Sequence, residues 1–125
     1  MLQNLDVRLG HFICFKKMII ENISNMFKGW FIGNFDPAIY KTKDFEVGIL
    51  FHPKGQKWPK HYHIEAVEIN VLISGEMIIN GKLLSSGNIF LIEKNEIADP
   101  EFLEDCTIVC VKSPSIPGDK YEVKE

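Results

Sequence analysis

The stretch GQKWPKHYHIEAVEINVLISG, residues 55–75, decides how the rest of the chain is read. Its polar residues stand at fixed intervals: Gly55, His61, His63, Glu68 and Gly75, or G-x5-H-x-H-x4-E-x6-G. On extended backbone, residues two apart point the same way, so His61 and His63 present their imidazoles to a common point. Glu68 opens the following strand and can bring a carboxylate to that point. Glu65 is a competing carboxylate, better suited to a solvated loop. Two histidines and one carboxylate leave open positions on Fe(II), and the same donors suit Zn, Mn or Ni. If Glu68 faces inward, Asn70 and Leu72 share its face and line the same space.

Outward from this stretch the strand signals continue. Phe45, Val47, Ile49 and Phe51 alternate along one face of the segment before it, and Val67, Ile69, Val71 and Ile73 along one face of its second half. Turns follow at short intervals. Ser74-Gly75 precedes Met77–Asn80, Asn80-Gly81 is a strong hairpin signal, and Ser86-Gly87-Asn88 introduces a strand at Ile89–Ile92. Asp99-Pro100 breaks the chain before a last long strand, Thr107–Lys112. Helical periodicity is confined to a short turn near Glu21–Phe27. Many short strands joined by Gly, Asn and Pro turns predict an all-β single domain, a sandwich or a barrel.

The spacing of residues 55–75 matches the first motif of the cupin superfamily at each fixed position, and the order of strands and turns from Phe45 to Val111 resembles a cupin barrel. The resemblance implies a single-domain antiparallel jelly-roll β-barrel over residues 36–113. An N-terminal segment, 1–35, would pack on the barrel or on a dimer partner, and 114–125 would form a C-terminal tail. It also implies a divalent transition metal, Fe, Mn, Ni or Zn, held by His61, His63 and Glu68 beside a small organic molecule. Tyr62, Asn70 and His52 are the candidate substrate-binding residues. The second motif of the family, G-x5-P-x-G-x2-H-x3-N, departs here. Laid from Gly87, it has Glu93 for Pro, Asn95 for Gly, Ala98 for the third metal-binding His and Phe102 for Asn. Asp99 and His52 are the candidate replacements for the absent imidazole. On a regular strand, Asp99 would face away from Ala98.

The function implied is that of a metal-binding cupin, with oxygenase, isomerase or lyase chemistry among the possibilities. The alternative is a metal-free module for a sugar or other small molecule, or a nucleotide-sugar epimerase or isomerase in which a histidine is the general base. Against the nucleotide-sugar variant, the chain has one arginine, Arg8, outside the motif. Trp58, Tyr62, Phe51 and Tyr40 are candidates for a substrate mouth, or for core packing.

Composition excludes other classes. The 125 residues are too few for two domains, and the 14 basic residues are scattered against 17 acidic ones, with no footprint for nucleic acid or anionic lipid. No apolar run has the length of a membrane span. Three cysteines, Cys14, Cys106 and Cys110, do not make a disulfide framework; Cys106 and Cys110 share one strand face and read as small hydrophobes. No signal peptide is legible, so a cytoplasmic protein is expected, with Met1 and Met18 as alternative starts. Strand edges left by a small barrel, and the frequency of twofold symmetry, predict a homodimer. The charges of Lys112–Lys120 read as those of a solvated surface tail or dimer arm.

Overall fold

Alternation at steps of two and closely spaced turns give strands almost throughout the computed structural model, which describes Leu5–Asp6, Ile13–Cys14 and residues 17–124. In chain order these are β1 (Leu5–Asp6), β2 (Ile13–Cys14), β3 (Trp30–Gly33), β4 (Tyr40–Lys41), β5 (Glu46–His52), β6 (His61–Tyr62) and β7 (Val67–Ser74). They continue as β8 (Met77–Ile79), β9 (Lys82–Leu84), β10 (Ile89–Ile92), β11 (Pro100–Phe102), β12 (Cys106–Ser113) and β13 (Tyr121–Glu122). Among the described residues the helical content is one 3-10 turn, Ile23–Asn25, capped where the Asn22 side chain accepts from Ser24 N–H at 2.9 Å. No helix among them is long and apolar enough to cross a membrane.

A six-stranded sheet runs in the order β10-β7-β12-β5-β3-β4, and a three-stranded sheet in the order β11-β8-β9. Two smaller ladders pair β13 with β6 and β1 with β2. Pairing is antiparallel except for β3 with β4, which run parallel. The N-terminal segment 1–35 thus contributes β3 to the large sheet, and the tail 114–125 contributes β13 to the strand that carries His61. Apolar side chains from the facing sheets meet between them: Leu72, Ile92, Cys106 and Ile108 from the large one, Met77, Ile79 and Phe102 from the small one.

Two local expectations change in the structure. Asn80-Gly81 does turn a hairpin, between β8 and β9, with φ of 51° and 78° at the two residues. Positive φ at both central positions is what a type I′ turn requires. Ser74-Gly75 does not turn a hairpin, because β7 and β8 lie in different sheets; the chain crosses over there. Pro100, expected as a breaker, begins β11 beside β8.

The structure also shows which face of each strand is inside. The strand expected at Phe45–Phe51 runs from Glu46 to His52, with Glu46, Gly48 and His52 buried. Ile49 and Phe51 are exposed. On β7 the face expected from an inward Glu68 is the buried one: Asn70 and Leu72 are buried while Ile69 and Ile73 are exposed. On β12, Cys106, Ile108 and Cys110 are buried. The large sheet therefore turns its more polar face inward and its aliphatic face outward. The polar side chains on this inner face need polar partners, since a buried polar group without one is costly.

Candidate metal centre

The inward faces enclose a cavity of about 440 Å³ between the two sheets. His61 comes from β6, His63 directly follows it, and Glu68 lies on the inner face of β7. Their ligand atoms all fall within 4.8 Å of one another. The rings of His61 and His63 meet edge to face, with centroids 5.3 Å apart. These are the three residues that the H-x-H-x4-E spacing brings to one point.

Backbone carbonyls fix both imidazoles. His61 Nδ1 lies 3.0 Å from the Pro59 carbonyl oxygen, and His63 Nδ1 contacts the Asp119 carbonyl oxygen. A carbonyl can only accept, so each Nδ1 donates, and in the neutral ring the lone pair is left on Nε2. Outer partners of this kind are how proteins orient metal-binding histidines. His63 Nε2 is fully buried and has no hydrogen-bond partner. It faces Glu68 Oε1 at 3.3 Å, with side-chain exposures of 3% and 12%. Glu68 Oε2 is already occupied, accepting from Asn70 Nδ2 at 3.1 Å. Two acceptors, a lone pair and a carboxylate oxygen, thus face each other away from water. That arrangement is costly unless a cation or a proton lies between them, and the donor set fits a divalent transition ion.

The electrostatics agree with ionised Glu68 and neutral His61. Burial by itself would raise Glu68, but with the proton on His63 Nε2 that a bound cation would replace, the hydrogen bonds from His63 and Asn70 and the charges of His63 and Lys112 outweigh it and hold its carboxyl at about 2. His61 is held below the ordinary imidazole range, chiefly by burial, with the Pro59 carbonyl opposing and the Lys120 charge adding to the effect.

Ala98 stands where the spacing placed it. It forms a two-way bridge with His61, His61 N–H to Ala98 C=O at 3.1 Å and Ala98 N–H to His61 C=O at 2.8 Å. Partners in such a pair have side chains on the same side, and Ala98 is buried against the cavity. Asn95, in the glycine position of the second motif, has φ of 65°, a conformation asparagine tolerates better than most residues. Asp99 does not replace the absent histidine: it is exposed, and its N–H donates to Asn80 Oδ1. His52 does reach the cavity but stands outside the three-residue group. Its ring stacks on Phe102 at 4.3 Å, and its Nδ1 donates to Gln56 Oε1 at 2.6 Å. Tyr62 is not brought to the site; it stacks on Tyr121, with centroids 5.5 Å apart, on the other side of β6 from the two histidines. Of the other aromatic candidates, Trp58 and Phe51 border the cavity and Tyr40 does not.

Three residues that hold or charge the site escaped the sequence reading. Asp119 is buried, not a solvated tail charge. Besides its carbonyl on His63, its carboxylate accepts from the N–H groups of Ile64, Glu65 and Ala66 at 2.9–3.3 Å, so it fastens the loop between His63 and Glu68. Lys112 and Lys120 line the cavity. No local signal marks these residues, because their partners lie tens of positions away in the chain.

No protein-family model matches the chain, and no curated protein matches it in sequence. Solved structures do match. A conserved protein with a double-stranded β-helix domain from Klebsiella pneumoniae superposes with a TM-score of 0.60 at 23% identity, over 67% of this chain and 74% of that one. Ectoine synthase from P. lautus superposes with a TM-score of 0.58 at 15% identity, over 86% and 91%. An RmlC-like cupin protein from Ralstonia eutropha gives 0.51 at 14% identity, over 66% and 58%. With its facing sheets and its cavity between them, the chain has the double-stranded β-helix fold of the cupins.

Proposed function

We propose that the chain binds one divalent transition-metal ion through His61 Nε2, His63 Nε2 and Glu68 Oε1, beside a small organic molecule in the same cavity. The observation that carries this reading is the buried, unpartnered His63 Nε2 facing Glu68 Oε1. A bound ion would polarise a carbonyl or carboxylate, or activate water, next to it. A cavity of about 440 Å³ suits a metabolite-sized molecule. The likeness in fold to ectoine synthase, an enzyme, is compatible with catalysis and does not choose a reaction. The test is calorimetric titration of metal-stripped protein with Mn(II), Fe(II), Ni(II) and Zn(II). One ion per chain is expected for at least one of them, and no binding by any of the four overturns the reading in favour of a metal-free binding module.

We infer also that the working form is a homodimer, in the cytoplasm, where sparse unpaired cysteines are at home. The supporting surface is the outer face of the large sheet. Across its ladder stand Leu91 beside Ile69, Ile69 beside Val111, Val109 beside Val71 and Ile49. Ile49, Ile69, Ile73, Ile89 and Leu91 are 40–71% exposed. The outward positions of β5, β7, β10 and β12 carry no charged side chain. Monomers seldom leave so continuous an aliphatic face in water. A twofold partner offers the same face back, and two sheets pack well when aligned. Ile69→Lys puts a charge at the centre of the face while leaving the inward set untouched. It should raise the dimer dissociation constant at least about 100-fold in sedimentation equilibrium, since burying an unpaired charge costs several kcal/mol. A wild-type protein that stays monomeric at every concentration would sink the idea.

A further inference from the structure

Two lysines enter the cavity from different parts of the chain. Lys112 lies on the inner face of β12, opposite Glu68 of β7 on one side and Glu46 of β5 on the other. Its Nζ is 3.5 Å from Glu46 Oε1 and 4.8 Å over the Trp30 ring. Glu46 is shared, because its Oε2 also accepts from the Ser115 hydroxyl at 2.7 Å. Lys120 follows Asp119, the residue that positions His63, and its Nζ lies 4.2 Å over the Trp58 ring. Among the described residues no carboxylate comes within salt-bridge distance of Lys120.

The charge balance of the cavity follows from this. Its walls carry Lys112 and Lys120 against the carboxylate of Glu68, with Glu46 paired to Lys112 and Lys28 exposed to solvent. In the reading above, Glu68 is committed to a divalent cation, which leaves Lys120 with no carboxylate within salt-bridge distance among the described residues. Burial, and then the charge of Lys112, hold Lys120 below the ordinary lysine range. Lys120 is thus partly desolvated and repelled by Lys112, and an anion bound in the cavity beside it would relieve both effects.

We propose that the cavity takes a small organic acid, whose carboxylate is held by the Lys112 and Lys120 ammonium groups while the rest of the molecule faces His61, His63 and Glu68. The proposal rests on the small-molecule reading of this cavity but not on the metal, because the lysines act with or without an ion. Ammonium–carboxylate hydrogen bonds are roughly twice as strong as neutral ones, and a partly buried site enhances them. A matched acid and its primary amide have the same shape and differ in that charge.

The test uses a panel of 2-oxo, 2-hydroxy and dicarboxylic acids of about three to six carbons, sized to the cavity, each with its amide. Binding is read by amide-resonance NMR titration of the metal-free and Zn(II)-loaded protein. In the metal-free protein at least one acid should bind at least about tenfold more tightly than its amide, a difference of about 1.4 kcal/mol. Lys120→Met should remove most of that preference, weakening the acid far more than its amide. Lys112→Met should do the same; if it fails to fold once Glu46 loses its partner, Lys120→Met still decides the matter. Metal titration of the same samples reports the ion site separately, so loss of one reading is distinguishable from loss of the other. Acids and amides binding equally, no acid binding in the metal-free protein, or a preference that survives Lys120→Met would overturn the proposal.

Discussion

His61→Ala and Glu68→Ala are each expected to lower metal affinity by at least about 100-fold, while the protein keeps its far-ultraviolet dichroism and a cooperative melt. Losing a partner that merely orients a ligand typically costs about 10- to 100-fold, so losing one of three ligands costs at least the upper end of that range. The fold should survive because the ladders around these residues use main-chain groups. His61 is bridged to Ala98 through its own N–H and C=O, and Glu68 is paired by its backbone to Ile92 and Lys112. The affinity of the wild type should also fall with acid, and the direction can be assigned. A protonated imidazole has no lone pair for an ion, so protons and metal compete. His61 sits below the ordinary imidazole value of 6.5, chiefly because it is buried, and so stays neutral through neutral pH. Glu68, held at about 2, stays ionised far below that. The histidines therefore set the acid limit of binding, and affinity should be level above pH ~6.5 and decline below it. Titrations at a series of pH values check this; a decline beginning only near the range of free carboxylates would mean that the histidines are not ligands.

The same values predict the acid limb of folding stability. A folded-state pKa below the unfolded one contributes stability above the unfolded value and loses it as pH falls through the folded one. For His61 and His52, both lowered from 6.5 with burial the leading cause, the loss begins below pH 6.5. For Glu68 it begins below 4.5 and continues to about 2. Glu68→Gln should flatten the lower part of this limb and leave the upper part in place.

What could be read in advance, and what could not, follows from the range of the interactions involved. The convergence of His61, His63 and Glu68 depends on a two-residue period and one short loop, and the Asn80-Gly81 hairpin on the φ preferences of two adjacent residues. Both are local, and both were legible. The inward face of β7 follows from Glu68, whose face Asn70 and Leu72 share, but which face of β5 points inward is not local. Aliphatic alternation normally marks the buried face, yet here Ile49, Ile69 and Ile73 point out, while Glu46, His52, Glu68 and Asn70 point in. The usual rule fails because the inner face borders a cavity lined partly by polar groups, among them His52, Glu68 and Asn70, rather than a fully packed core. Asp119 and Lys120 were missed for a related reason. A Pro-Gly-Asp-Lys sequence reads as a turn, and nothing within it reports that the Asp119 carboxylate meets main-chain N–H groups 53 to 55 positions earlier.

Ala98→His is expected to strengthen metal binding by at least about tenfold, because it restores a donor to an ion with open positions. Geometry supports the substitution. Ala98 and His61 exchange both main-chain hydrogen bonds, so a side chain at 98 leaves the strand on the same side as the His61 ring and enters the same cavity. Partners in such a pair have Cα atoms about 5.5 Å apart, within reach for two imidazoles that share an ion. If the loss of an orienting partner costs about 10- to 100-fold, a new direct donor should gain at least the lower figure. Opposing this, Ala98 is buried in the cluster with Met77, Ile79 and Phe102, and an imidazole that cannot turn into the cavity would overpack it at about 1–3 kcal/mol. The two effects separate experimentally. Titration with Mn(II) or Ni(II) reads the affinity, and a thermal melt without metal reads the packing cost. The expected outcome is a lower melting temperature in the metal-free protein, reversed on adding metal, with a dissociation constant at least about tenfold below that of the wild type. A folded Ala98→His protein with unchanged affinity would mean that residue 98 is not at a ligand position of an ion at His61, or that no such site exists.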